Sequence, residues 1–448
     1  LNNGLATTPP MGWNSWNCFQ YNFTADTLLD IADQLILSGM YNVGYNYLII
    51  DDGWFNWDQR DPKGFLITDT VKFPNGIPHF IELVHSKGLK VGVWITPGDK
   101  RACGTCGHEF QDMQMFAQWG VDYLKIDASG AGSACLDHQN QFGDISRTVD
   151  SVGHQMVLEA CFAPEINGQK VWEWGPEFLH IWRTGPDLFP AWHNNPGIGV
   201  GIGVMEAMEN TVDKWMYAGP GHWNYPDMLQ VGNLNFFWKE QVLSVNESRA
   251  HFSLWCILAS PLIAGNDIRN MSQEIKEILI NKEAISVNQD SLGIQGQRIK
   301  NISGQMVFVK QLSDSSRAVL FLNDNLVAAE MSISWNELGF SSLESARVRD
   351  LWQHKNIGIF ADHFSSVVAA HDIVMVRIFP QIISDETKEC GCGSGVGLAF
   401  IPPLGFKFSL LLKRKKRKIQ TKIRTTTFIS RVENLLNVRA LVQYRCGK

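Results

Sequence analysis

Seven charged residues stand just after short apolar runs: Asp51, Asp52, Lys125, Asp127, Arg183, Asp187 and Asp227. Apolar or aromatic residues precede the carboxylates, which points to a partly buried cleft. Two carboxylates facing each other across a pocket, with others accepting hydrogen bonds from hydroxyls, is the layout of glycoside hydrolysis. Trp13, Trp16 and Trp54 can pack on the C–H faces of a sugar ring. A metal site is the competing chemistry. No His pair accompanies the carboxylates, and Lys125 and Arg183 oppose a cation, so no metal is expected.

The stretch from Val121 to Asp127 concentrates this pattern. Tyr123 to Ile126 suit a buried strand, and a carboxylate sits where the strand should end. Lys125 lies two residues before Asp127 and so points to the same side. A cation beside a carboxylate keeps it ionised, as a nucleophile or an electrostatic stabiliser requires. An ordinary strand ending in a turn-forming Asp stays open on this stretch alone.

The positioning elements are legible from Met11 to about residue 290. Strands are expected at 11–16, 45–50, 90–95, 121–127, 156–161, 178–182, 222–227 and 259–264. Helix-like segments separate several of them: 27–39 with Asp26 as N-cap, 77–88, 110–120 and 248–258. Eight such alternations predict an α/β fold, a (β/α)8 TIM barrel over 1–291, with the polar residues at the strand C-terminal ends where barrels place active sites. From about Leu292 short strands with turns take over (305–311, 317–323, 365–370, 373–379), predicting a C-terminal antiparallel β-sandwich over 292–380. Residues 381–448 read as a basic, poorly ordered tail.

At 448 residues the chain is long enough for about two domains. Sixteen Trp weakly favour a sugar site. The net charge of −6 hides an asymmetry: from Ile382 onward there are 14 Lys and Arg against 4 Asp and Glu. The acidic remainder gives no hint of nucleic-acid binding. In the tail, an apolar run from Val396 to Leu412 is broken by Pro402, Pro403 and Lys407. A membrane anchor is therefore the minor reading.

Nine Cys do not make a disulfide scaffold. Cys103 and Cys106 have CxxC spacing without a second pair, and a bridge from this pair to Cys135 is expected rather than metal. Four sequons, at Asn22, Asn246, Asn270 and Asn301, favour a secreted or lysosomal glycoprotein. There is no signal peptide; the chain begins at Leu1, and a leader is expected to have been removed already.

Five blocks make a resemblance specific: Met11 to Trp16, Asp51-Asp52-Gly53-Trp54, Trp119 to Asp127, Trp182 to Asp187 and Trp223 to Leu229. Together they resemble the signature of the melibiase family, glycoside hydrolase family 27, over about residues 5–380. The resemblance implies an exo-acting, retaining, two-step hydrolase of terminal α-galactosides. It implies Asp127 as nucleophile and Asp187 as acid/base. Asp51 and Asp52 would hold the distal hydroxyls, including the axial 4-hydroxyl of galactose. Trp16, Lys125, Arg183 and Asp227 match pocket positions. No metal or organic cofactor is implied. The expected partner is an oligosaccharide or glycoconjugate substrate; a homodimer stays open, and neither nucleic acid nor a membrane is expected.

The chain departs from the family in three places. Ala128-Ser129 stand where Asn-Cys is usual after the nucleophile. Cys161-Phe162-Ala163 replace Cys-Glu-Trp in a loop that contacts the sugar's 2-position, where Glu165 or Glu173 would have to substitute. Pro186 precedes the acid/base and biases Gly185 to an extended backbone. These departures keep alternatives alive: an α-N-acetylgalactosaminidase, a β-L-arabinopyranosidase, an isomaltose-releasing glucanase, or a galactose-binding protein without turnover.

Overall fold

A computed structural model describes residues 1–99, 104–128, 137–161, 165–166, 168–194, 201–234, 243–340 and 345–381. Eight parallel strands run in consecutive order around the first part of the chain. They are β1 (Met11–Asn14), β2 (Tyr47–Ile50), β3 (Lys90–Ile95), β4 (Tyr123–Ile126), β5 (Val157–Ala160), β6 (Ile181–Arg183), β7 (Trp223–Tyr225) and β8 (Leu262–Ala264). β1 pairs with both β2 and β8. The ring closes through a parallel bridge between Leu229 and Ala264, where the Leu229 N–H donates to the Ile263 carbonyl at 2.7 Å. The expected strands are all present. A hairpin after β2, Phe55–Arg60 with Leu66–Thr68, was not anticipated.

Alternation along the strands sorts two layers. One set packs outward under the helices: Leu48 and Ile50 on β2, Leu124 and Ile126 on β4. The other points to the barrel axis, where Tyr47, Ile49, Tyr123, Val157, Ile181, Tyr225 and Ile263 form an apolar plug. On β2, β4, β5 and β6 the same inward face then turns polar, to Asp51, Lys125, Glu159 and Arg183, all buried. Period two thus carries each strand from plug to polar floor.

Helix boundaries shift where capping chemistry decides them. The first long helix spans Ala25–Leu37, and its N-cap is Thr24, whose hydroxyl accepts the Thr27 N–H; Asp26 lies in the first turn instead. Thr24 takes the cap because its backbone is extended while Asp26 is already helical. The helix expected from Ser248 spans Val245–Ile257 and opens with a capping box of Ser244 and Glu247.

The second part of the described chain is antiparallel. A six-stranded sheet, in spatial order 297–302, 305–311, 317–323, 372–381, 345–350 and 355–361, faces a two-stranded sheet of Ala329–Ser334 and His363–Val368. Val319, Phe321, Ile333, Trp335, Val348 and Phe364 fill the space between them. This sandwich meets the barrel through a shared apolar core, which Phe308, Leu320, Leu322 and Met375 join from the sandwich side, with polar contacts beside it. Arg249 pairs with Asp372 at 2.5 Å, and Trp352 Nε1 donates to Ser253 Oγ at 3.0 Å. Lys310 Nζ donates to the Val287 carbonyl at 2.6 Å. Among the described residues no helix is long and apolar enough to cross a membrane. The tail from 382 onward lies outside the described residues.

Candidate active site

All eight candidate residues line one cavity of about 370 Å³ at the C-terminal ends of the strands: Trp16, Asp51, Asp52, Lys125, Asp127, Arg183, Asp187 and Asp227. Asp51 sits just past β2. Its backbone N–H donates to Ser15 Oγ at 2.9 Å, and its Oδ2 accepts from Asn14 Nδ2 at 2.9 Å and Lys125 Nζ at 2.6 Å. Its Oδ1 accepts the Asp52 N–H at 2.8 Å, which locks the pair of acids together. Tyr21 places its hydroxyl 3.5 Å from Asp52 Oδ2.

Lys125 and Asp127 share the cavity wall, as alternation requires. The ion pair of Lys125, however, runs past β3 to Asp51 at the end of β2. Burial by itself lowers the Lys125 pKa; Asp51, and with smaller effect Cys161, Glu159 and Asp227, more than reverse that and hold it well above the ordinary value. Asp127 begins the loop after β4, its N–H bonded to the Ile95 carbonyl at 2.8 Å. Trp94 Nε1 donates to Asp127 Oδ2 at 3.2 Å.

Arg183 is the second cation. One guanidinium nitrogen lies 3.2 Å from Asp187 Oδ1 and 3.1 Å from Asp227 Oδ2. Asp227 is buried, and its φ of 118° lies in the left-handed region, a strained conformation for a residue with a side chain. Two backbone N–H groups, from Met228 at 2.8 Å and Leu188 at 2.9 Å, hold its carboxylate. Burial raises the Asp227 pKa while Arg183 opposes that rise. Asp187 differs from these partners: its side chain is 66% exposed. It sits at the rim, where a group that exchanges protons with a leaving group and water must reach both.

The loop after Asp187 is braced from two sides. Gln230 Nε2 donates to the Leu188 carbonyl at 2.5 Å. From the sandwich, Asp324 accepts from Trp192 Nε1 at 2.7 Å and lies 2.8 Å from His193 Nε2.

Of the three aromatic candidates only Trp16 lines the cavity. Trp13 and Trp54 are wholly buried core residues, donating to the Asn266 and Trp94 carbonyls at 2.8 and 2.9 Å. Trp13 is on the outward face of β1, one residue out of phase with Asn14. Trp94, not anticipated, lines the cavity instead. Alternation from Gly92, which packs against Ile49 and Tyr123, was the available signal. Tyr21, Cys161, Phe189 and Gln230 also line the cavity. Cys161 follows the period of β5, whereas Tyr21, Phe189 and Gln230 come from loops, which carry no such period.

The departures divide unevenly. Phe162, Ala163 and Ser129 lie outside the described residues. Glu165, in a short hairpin, and Glu173, in the helix Val171–Phe178, are exposed, and neither is among the described cavity residues. Cys106 is a free thiol; Cys103 and Cys135, the remaining members of the expected bridge, lie outside the described residues. Among the described residues no cluster of His, Cys, Asp and Glu is arranged to hold a metal ion.

A family model described as alpha galactosidase A matches residues 8–290, and one for the alpha galactosidase C-terminal β-sandwich matches 303–378. The chain belongs to the melibiase family. The rice α-galactosidase is 35% identical over 385 residues, covering 85% of this chain and 86% of its own. A chicken α-N-acetylgalactosaminidase is 33% identical over 428 residues, covering 87% and 98%. The crystal structure of α-galactosidase I from Mortierella vinacea superposes with a TM-score of 0.78 at 32% identity, covering 84% of this chain and 98% of that one. A melibiase chain is a glycoside hydrolase, and the buried ion pairs above form the polar floor of the cavity.

Proposed function

We propose that this chain is an exo-acting retaining α-galactosidase. The observation that carries this reading is the convergence of two cations and five carboxylates on one cavity at the barrel mouth. Its volume suits one terminal sugar and the bond to its leaving group. In the first step Asp127 attacks the anomeric carbon while Asp187 protonates the departing oxygen, and a glycosyl ester forms on Asp127. In the second, Asp187 takes a proton from water. That water attacks the same carbon, and the ester bond to Asp127 breaks. Trp94 steadies one Asp127 oxygen. Asp51, Asp52 and Lys125 offer acceptors and a donor to the distal hydroxyls. Arg183 and Asp227 hold the rim against which Asp187 works.

The division into a catalytic barrel over 1–291 and a sandwich over 292–380 is supported by the two family matches. The asparagines of all four sequons are exposed, which supports a glycoprotein, secreted or lysosomal. A mobility shift after enzymatic release of N-glycans checks this.

Hydrolysis of p-nitrophenyl α-D-galactoside by the wild type and Asp127→Ala tests the function. Wild-type turnover that falls by about 10⁴-fold or more in a folded variant is expected. An inert wild type sinks the reading. Preference for the N-acetylgalactosaminide transfers it to the sister activity.

A further inference from the structure

Beneath the sugar pocket lies a carboxyl group that the reaction does not use. Glu159 sits mid-way along β5, in register with Lys125 on β4 and Ile181 on β6. It is 2% exposed and is not among the cavity residues. The inward face of β5 runs from Val157 through Glu159 to Cys161, so Glu159 stands one layer below the cavity wall. The Tyr123 hydroxyl donates to its Oε2. Its Oε1 is buried with no hydrogen-bond partner among the described residues. An ionised carboxylate left this way is costly, whereas a proton on the orphaned oxygen removes the charge.

The groups that face it are those of the pocket floor. Lys125 comes from β4 with Tyr123, Arg183 from β6, and Tyr225 and Asp227 from β7 and its end; Cys161 is on its own strand. Lys125 and Arg183 already serve Asp51, Asp187 and Asp227 on the sugar side. A charge on Glu159 competes for both cations from below.

We propose that Glu159 is a positioning residue of the glycosidase reaction: protonated, it leaves Lys125 and Arg183 to the sugar-facing carboxylates, and ionised, it draws them down and weakens catalysis on the alkaline side. This rests on the catalytic reading of the pocket given above. Burial pushes the Glu159 carboxyl up, Lys125, the Tyr123 hydrogen bond and Arg183 pull it down, and Asp227 raises it again; the balance lies at about 7. The switch therefore falls in the neutral range.

The test is the pH profile of kcat/KM on p-nitrophenyl α-D-galactoside for the wild type, Glu159→Gln and Glu159→Asp. The ratio of kcat/KM at pH 8 to that at pH 5 is expected to rise roughly tenfold in Glu159→Gln, which cannot ionise. Glu159→Asp, which can, should keep a falling alkaline limb. Should the glutamine variant not fold, Glu159→Ser carries the same comparison, because it too removes the titrating group. An active wild type whose ratio is shared by the neutral variants overturns this inference and leaves the functional reading standing. An inactive wild type overturns both.

Discussion

Inside the barrel mouth, Asp51, Lys125, Arg183 and Asp227 are each no more than 5% exposed, and all are ion-paired. Between the two sheets of the sandwich the packing is apolar, from Val307 to Ile378; the sandwich's buried Lys310 and Asp372 bond to the barrel instead. One region buries charge, whose desolvation cost its partners must offset; the other buries Val, Ile, Phe and Trp and gains from each. The sandwich touches the chemistry only through its edge, where Asp324 braces the loop that follows Asp187. A cluster of buried, paired charge marks the barrel mouth; apolar burial marks the support.

Substitutions can break this contrast. In the mouth, Lys125→Met leaves Asp51 buried beside an apolar group. A stability loss of about 3–5 kcal/mol is expected, together with loss of turnover. Denaturant unfolding and residual activity read both. In the sandwich, Phe321→Ala is expected to cost about 3–5 kcal/mol as well, because it empties a fully buried position. Its kcat per folded molecule should stay near the wild-type value, since Phe321 packs between the two sandwich sheets and does not line the cavity.

Glu159 sharpens the contrast through pH. Its carboxyl is pushed up to about 7 in the folded chain, against about 4.3 unfolded. Between these values the folded state holds a proton that the unfolded state has released, so stability must fall as pH rises. The benefit is complete below about pH 4 and is lost above about pH 7, roughly 4 kcal/mol in all. Calorimetric Tm measured across this window should decline in the wild type and decline less in Glu159→Gln. Equal slopes would deny the shift.

The smallest effect is expected at the seam. Arg249 pairs with Asp372 at a partly exposed place between barrel helix and sandwich strand. Arg249→Ala should cost about 0.5–1 kcal/mol, with unchanged kcat/KM, and the cost should shrink in high salt. A loss several times larger would mean that the two regions are coupled through this contact.

How far the sequence reaches differs between these regions. The barrel strands were legible because each is a short apolar run with turn residues after it, and their period of two placed Lys125 with Asp127. Asp51, Asp52 and Asp227 were legible because they stand close after such runs; Asp187, beyond the end of β6, was legible from the Trp182 to Asp187 block. In the sandwich, Gln305–Gln311 and Arg317–Asn323 were legible as apolar runs. Gln297–Ile302 and Lys355–Ala361 were not: they are edge strands, largely exposed, and carry mixed polar residues.

What the sequence by itself determined is the set of reactive groups and the family to which the chain belongs, since both depend on residue types at short, local spacing. Partnership was decided only by the tertiary structure. Lys125 answers to Asp51, 74 positions away, and Arg183 joins Asp187 to Asp227. Trp94 lines the cavity that Trp13 and Trp54 do not reach, and Glu159 falls beneath its floor. Closing eight strands into a ring brings together side chains that local spacing cannot relate, and the strength of a charge pair depends on that distance and on the burial the ring imposes.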